Sequence, residues 1–196
     1  MSEGRPCPAC GQPLLGWAVV EARDPGGGRD VVLERCESCG LGLVRGAGAD
    51  MEPDERGVVA VANRRSWQAG LGGSHWAAID PAEREAYPTP DALARLLEKQ
   101  GLEPQRLRQP PLGRNQLWMW QTLLNGLTFH DDFATDVLGG RLRPRNARNV
   151  AAFAIDAMVS VLAALPVALI SVPLELIAVV ARRGGLVEAE VKQLAE

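Results

Sequence analysis

The sequence predicts an α+β chain in two parts: a small cysteine-held ribbon, then a larger region in which short strands alternate with helices. Three observations carry this reading. All four cysteines fall in two copies of one pattern, "CPACG" at Cys7 and Cys10 and "CESCG" at Cys36 and Cys39. Downstream, short apolar runs alternate with a well-capped amphipathic helix. Near the end, the stretch from Ala157 to Leu174 carries no charge. A chain of 196 residues has room for one domain of ordinary size and a smaller one. The expected division is a ribbon over 1–45, a linker over 46–56 and a C-terminal region over 57–196, with an apolar helical segment at about 149–183.

The totals bound the function loosely. A formal net charge of −3 gives no global pull toward nucleic acid, so no nucleic-acid partner is expected. Lysine occurs only at Lys99 and Lys192, and arginine supplies the rest of the 21 basic residues, which reads as biased composition. The opening "MSEGRPCPAC" has no apolar run after a basic start, so no secretory signal is expected. That points to a reducing cytoplasm, where paired cysteines are more often metal ligands than disulfides.

In the ribbon, two residues between thiolates let one tight turn offer both sulfurs to a single ion. Gly11 and Gly40, each following a second cysteine, permit the positive backbone dihedral that such turns favour. Between the pairs, "LLGWAVVEARD" and "RDVVLERC" read as strands around the turn "PGGG", which brings Cys7, Cys10, Cys36 and Cys39 together. Four such sulfurs make a closed tetrahedral zinc site. Iron is the alternative metal; a redox dithiol lacks its usual βαβ surroundings. A closed site has no open position for substrate, so the zinc is read as structural.

Two glycine stretches fail as cofactor loops. A phosphate-cradling loop needs a strand before it and a helix after it. After Gly46-Ala47-Gly48 comes "ADMEPDERG", with Pro53 and no helical apolar period, and "DPGGGR" at 24–29 turns between ribbon strands. They are read as linker and turn.

In the C-terminal region, "GVVAVAN" from Gly57 reads as a buried strand. Thr89 caps a helix that has Pro90 at its first position, an apolar face of Leu93, Leu96 and Leu97, and Gly101 after its end. "LEPQRLRQ" follows as a strand, and near the C-terminus Val187, Ala189 and Val191 alternate with Glu188, Glu190 and Lys192.

Together these segments resemble the C-terminal half of class I S-adenosylmethionine-dependent methyltransferases, closest to bacterial members with a zinc ribbon in front. Their Asn-x-x-Ser-like strand end is matched by Asn63 and Ser66, their Gly-x-x-Trp element by Gly73 and Trp76, and their Thr-Pro helix start by Thr89 and Pro90. The resemblance covers residues 5–45 and about 57–192. It implies a partial, about three-stranded sheet in which the final strand, near 186–192, lies antiparallel between those near 58–62 and 103–108. The family's acidic-glycine cofactor loop, its ribose-binding carboxylate and four of its seven strands have no counterpart here. Where the family often shows Pro-Arg-His, this chain has Ala82-Glu83-Arg84; His75 and His130 lie elsewhere and read as ordinary surface or partly buried residues. No catalytic and no cofactor-binding residue is therefore assigned, and S-adenosylmethionine is not expected to bind. The strand over 58–62 would lose a neighbour, leaving an edge for a second copy or a partner protein.

The apolar segment, as 18 residues of helix, would span about 27 Å. Pro166 and Pro173 interrupt it, Arg141, Arg143, Arg145 and Arg148 precede it, and Arg182 and Arg183 follow. Basic flanks on both sides predict a helical hairpin bending near Pro166 that dips into the inner face of a membrane; helices packed on the sheet are the competing reading. Trp118 and Trp120, among Leu117, Leu123, Leu124 and Leu127, are read first as core and second as a membrane interface.

The functional expectation is a zinc-binding, non-catalytic remnant of a methyltransferase, cytoplasmic or peripheral at a membrane, acting through protein or membrane contacts. The alternative is a methyltransferase subunit completed by a partner chain.

Overall fold

The computed structural model describes residues 5–24, 27–140, 142 and 150–193. The chain is α+β, with two antiparallel sheets and one long C-terminal helix. In the first sheet, β1 (Leu14–Asp24) and β2 (Gly27–Cys36) form a hairpin in which Asp24 faces Gly27. Pro25 and Gly26 of the predicted turn lie outside the described residues. The short β3 (Gly42–Val44) returns along β2, and β5 (Ala86–Tyr87) adds a fourth strand from beyond the linker.

The second sheet contains β4 (Val58–Ala62), β6 (Leu102–Arg108) and β7 (Leu186–Gln193). Its order is β4-β7-β6, with β7 antiparallel to both neighbours, the arrangement that the resemblance noted in the sequence implies. The two-residue period decides the faces of β7: Val187 and Ala189 are buried, while Glu188 and Glu190 reach solvent. Glu188 pairs across the sheet with Arg108 at 2.8 Å.

Helix α2 (Pro90–Lys99) joins the two halves. Thr89 caps it by accepting from the Ala92 N–H, and Ala92, Leu93, Leu96 and Leu97 turn inward. These residues pack against Val59, Val61 and Val187 of the second sheet and also against Cys7, Cys36, Leu41 and Leu43 of the ribbon. Ala49 and Met51 are buried in the same cluster, so the segment between the halves is itself packed. A second cluster centres on Leu33, Trp76 and Tyr87, with Trp118 against it.

After β4 come α1 (Trp67–Gly72) and, beyond β6, α3 (Arg114–Asn125), α4 (Phe133–Leu138) and α5 (Val150–Val180). Helix α3 packs on α1 and on α5. One point of the sequence reading is corrected here. The apolar segment does not bend back at Pro166; a single helix runs through both prolines. Its two ends are tied separately to the body. Asp156 accepts from the Phe129 and His130 N–H groups, and Glu175 accepts from Gln68 and the Gly185 N–H. A reversal at Pro166 would break one of these ties, whereas each proline costs one helical bond and lies on the exposed side.

The strand β4 keeps one free edge. Val59 and Val61 point their backbone groups at β7, as the flanking Gly57–Val191 and Asn63–Gly185 bonds require, so Ala60 and Ala62 face the other way. Among the described residues no strand pairs there. That side opens on a cleft of about 300 Å³ bordered by residues 48–52 and 83–86.

Candidate metal centre and outer helix face

The ribbon brings all four cysteines to one point. The sulfurs of Cys7 and Cys39 are 3.6 Å apart, those of Cys10 and Cys36 are 3.4 Å apart, and all four lie within 4.8 Å of one another. A zinc ion with bonds of about 2.3 Å to four tetrahedral sulfurs would set them about 3.8 Å apart. The donor set therefore fits a single ion. Each pair sits in a turn closed by backbone bonds, Gly11 N–H to Cys7 C=O and Gly40 N–H to Cys36 C=O, both 2.8 Å. Both glycines have positive φ, and at Gly40 a Cβ would also come within 2.6 Å of the Thr89 methyl.

The thiols also behave as a set. Burial pushes Cys7 and Cys39 up. For Cys10 burial opposes ionisation, but bonds from the Gln12 amide and the neighbouring sulfurs outweigh it, and the thiol falls to about 7. To ionise together, four thiols this close would need a cation between them. The site is closed by the chain: Thr89 Oγ1 donates to the Cys39 carbonyl at 2.8 Å, and Lys99 Nζ to the Pro8 carbonyl at 2.7 Å.

The second feature is the inverted polarity of α5. Its polar residues are Asp156, Ser160, Ser171 and Glu175, and all four are buried. The spacings of 4, 11 and 4 residues put them on one side of a 3.6-residue helix. Every exposed residue of the helix is apolar, including Met158, Leu162, Leu165, Leu169, Ile177 and Val180. Leu165 is 69% exposed and Val180 85%. By length and composition this is a helix able to cross a membrane.

The inward side of α5 rests on a polar network that the sequence reading missed. Gln68 Nε2 donates one N–H to Glu175 Oε2 at 2.6 Å and shares the other between Asn115 Oδ1 at 3.0 Å and the Asn115 carbonyl at 2.8 Å; its Oε1 accepts from Trp76 Nε1 at 3.4 Å. Gly185 fits because any Cβ there would collide with Gln68. The signal was available: a lone glutamate four residues after a serine, at the end of an uncharged run.

Residues singled out in the sequence mostly hold the frame. Asn63 is buried and donates to the Gly184 carbonyl at 2.8 Å, Ser66 caps α1, and Trp76 is core. His75 pairs with Asp131 at 2.8 Å on the surface, His130 meets Asp156 at 2.6 Å, and neither belongs to the cysteine group. Trp118 is partly buried against the second cluster, and Trp120 donates to the Ala164 carbonyl of α5 at 2.9 Å. Arg141, Arg143, Arg145 and Arg148 lie outside the described residues.

No protein-family model, curated protein or solved structure matches this chain. The functional features that stand are the four cysteines, close enough to hold a metal ion, and one long apolar helix with an exposed face.

Proposed function

We propose that this chain is a zinc-stabilised, non-catalytic relative of class I methyltransferases whose work is contact with a membrane surface. The observation that carries the membrane reading is the inverted polarity of α5. Burying polar groups and exposing Leu, Ile, Met and Val is unfavourable in water, because exposed apolar area costs about 25 cal/mol per Å². The inversion suits lipid, in which apolar side chains are at home.

A protein partner fits this face less well. Interfaces between soluble proteins carry a polar rim and about one hydrogen bond per 100–200 Å². The outer stripe of α5 offers no polar side chain over 31 residues, about 46 Å. Helix α3, backed by α1, covers the inward side. An orientation with α5 in the membrane plane keeps that body in water and only the outer stripe in lipid. The cysteine centre is then the brace of a small domain, with zinc as its ion: four thiolates complete the coordination and none of it is left for substrate.

The kinship with methyltransferases rests on the residues quoted above, supported by the β4-β7-β6 order with its antiparallel centre. The free edge of β4 favours one second reading, a subunit whose cofactor half is supplied by a partner strand pairing beside Ala60 and Ala62. Isothermal titration with S-adenosylmethionine separates them for the chain alone. No binding is expected, and stoichiometric micromolar binding would overturn the non-catalytic reading.

The membrane reading is tested by flotation of the purified full chain with zwitterionic vesicles, which removes the contribution of arginines. The wild-type chain should float, and Leu165→Lys with Leu169→Lys should leave it at the bottom. Equal behaviour of the two proteins defeats the proposal.

A further inference from the structure

A cleft of about 430 Å³ opens beside the second cysteine turn, lined by Arg35, Arg64, Arg65 and Arg95, by the carboxylates of Glu37 and Asp91, and by Cys36 and Cys39 of the metal centre. Its size lies in the range of small-ligand sites. Four guanidinium groups from three separate elements meet here: the end of β2, the loop after β4, and α2. Two of them are engaged, Arg35 with Glu37 at 2.6 Å and, more loosely, Arg65 with Asp91 at 3.7 Å.

The other two lack a carboxylate. Among the described residues neither Arg64 nor Arg95 has an acidic side chain within ion-pair distance. Arg64 is half-buried with its guanidinium 4.0 Å above the Trp17 ring, and its buried Nε has no hydrogen-bond partner. The ring fixes the plane of the guanidinium. A partly buried cation with an unmade bond is costly unless something supplies the acceptor. Like charges gathered in one cleft add to that cost.

We propose that this cleft binds a phosphate group, held by Arg64 and Arg95. Arginine forks match phosphate oxygens in plane and in pairs, and Arg64 and Arg95 have no carboxylate to take that place. The cleft also adjoins a second one of about 620 Å³ that shares Arg65 and Asp91 with it and reaches Arg108 and Arg182, near the C-terminal end of α5. A lipid headgroup and a free phosphate compound share this chemistry. The inference does not depend on the membrane reading, because the free-phosphate arm of its test needs no lipid.

The test uses the purified full chain, wild type, Arg95→Gln, and Arg64→Gln with Arg95→Gln. Arg95 is exposed, so its single variant leaves the core untouched. One arm titrates inorganic phosphate calorimetrically against the chain without lipid. The other compares flotation with zwitterionic vesicles and with vesicles containing phosphatidylglycerol. Loss of a charge-assisted pair should weaken binding by about tenfold or more in the single variant and further in the double. If the variants lose phosphate binding, the site takes free phosphate compounds. If they lose only the gain from phosphatidylglycerol, it takes a lipid headgroup. Absence of both effects in wild type, or their persistence in Arg95→Gln and the double variant, overturns the proposal. Loss of zwitterionic flotation alone strikes the membrane reading and leaves this one standing.

Discussion

Gln68 Nε2 stands 2.6 Å from Glu175 Oε2 and joins the first helix after β4 to the last turns of α5, across 107 residues of sequence. The carboxyl is wholly buried, and its other oxygen accepts from the Gly185 N–H at 3.1 Å. This contact fixes where the apolar helix leaves the body and where β7 begins.

Replacing Glu175 by leucine would leave one Gln68 N–H and the Gly185 N–H without an acceptor in a dry site. We expect a loss of about 2–4 kcal/mol in denaturant unfolding. Glu175→Gln keeps the shape and one acceptor, so its loss should be nearer 1 kcal/mol. Equal effects of the two changes would mean that hydrogen bonding is not what anchors the helix.

The cysteine centre predicts one metal ion per chain, measured by elemental analysis of protein purified without added metal. Chelation should unfold the ribbon, because structural zinc contributes about 10–16 kcal/mol of apparent binding free energy in small peptides. The shared core should carry the damage into α2, whose Leu93, Leu96 and Leu97 pack in the same cluster as Cys7 and Cys36. Loss of helical circular dichroism on chelation is the readout. Cys36→Ser should copy the effect of chelation.

Gly40→Ala combines a positive φ with a contact against Thr89. The change should cost about 1–2 kcal/mol and hasten metal release, since Thr89 also holds the Cys39 carbonyl. Gly11→Ala shares the positive φ but meets no neighbour within 4 Å. It should cost less, about 1 kcal/mol. A reversed ranking in chelator-competition rates would refute the assignment of Thr89 as a brace.

Pro166→Ala restores a helical N–H on the exposed side of α5. If the helix is continuous, the change should raise stability by about 1–3 kcal/mol without altering vesicle binding. A bend built on Pro166 would instead be weakened, with lower stability.

Much of this protein is legible in its sequence. The paired CxxCG turns bring their sulfurs together, because two residues between thiols leave little choice of geometry. The period-two pattern of 186–192 and the cap at Thr89 are equally local, and they predicted β7 and α2 to within a residue or two. The prolines misled the reading of 149–183, because breaking a helix is a local tendency and the ties at Asp156 and Glu175 that override it are long-range.

The spacing of Ser171 and Glu175 marks the inward side of α5, but the partners Gln68 and Asn115, like the members of the arginine cleft, come from elements far apart in the chain and could not be read from it. Sequence alone determined what each segment is: ribbon, strand, capped helix, apolar run. Tertiary structure alone decided which way the apolar run faces. Hydrophobic periodicity measures how apolar a helix is, whereas packing decides whether its few polar residues turn toward the protein or toward what surrounds it.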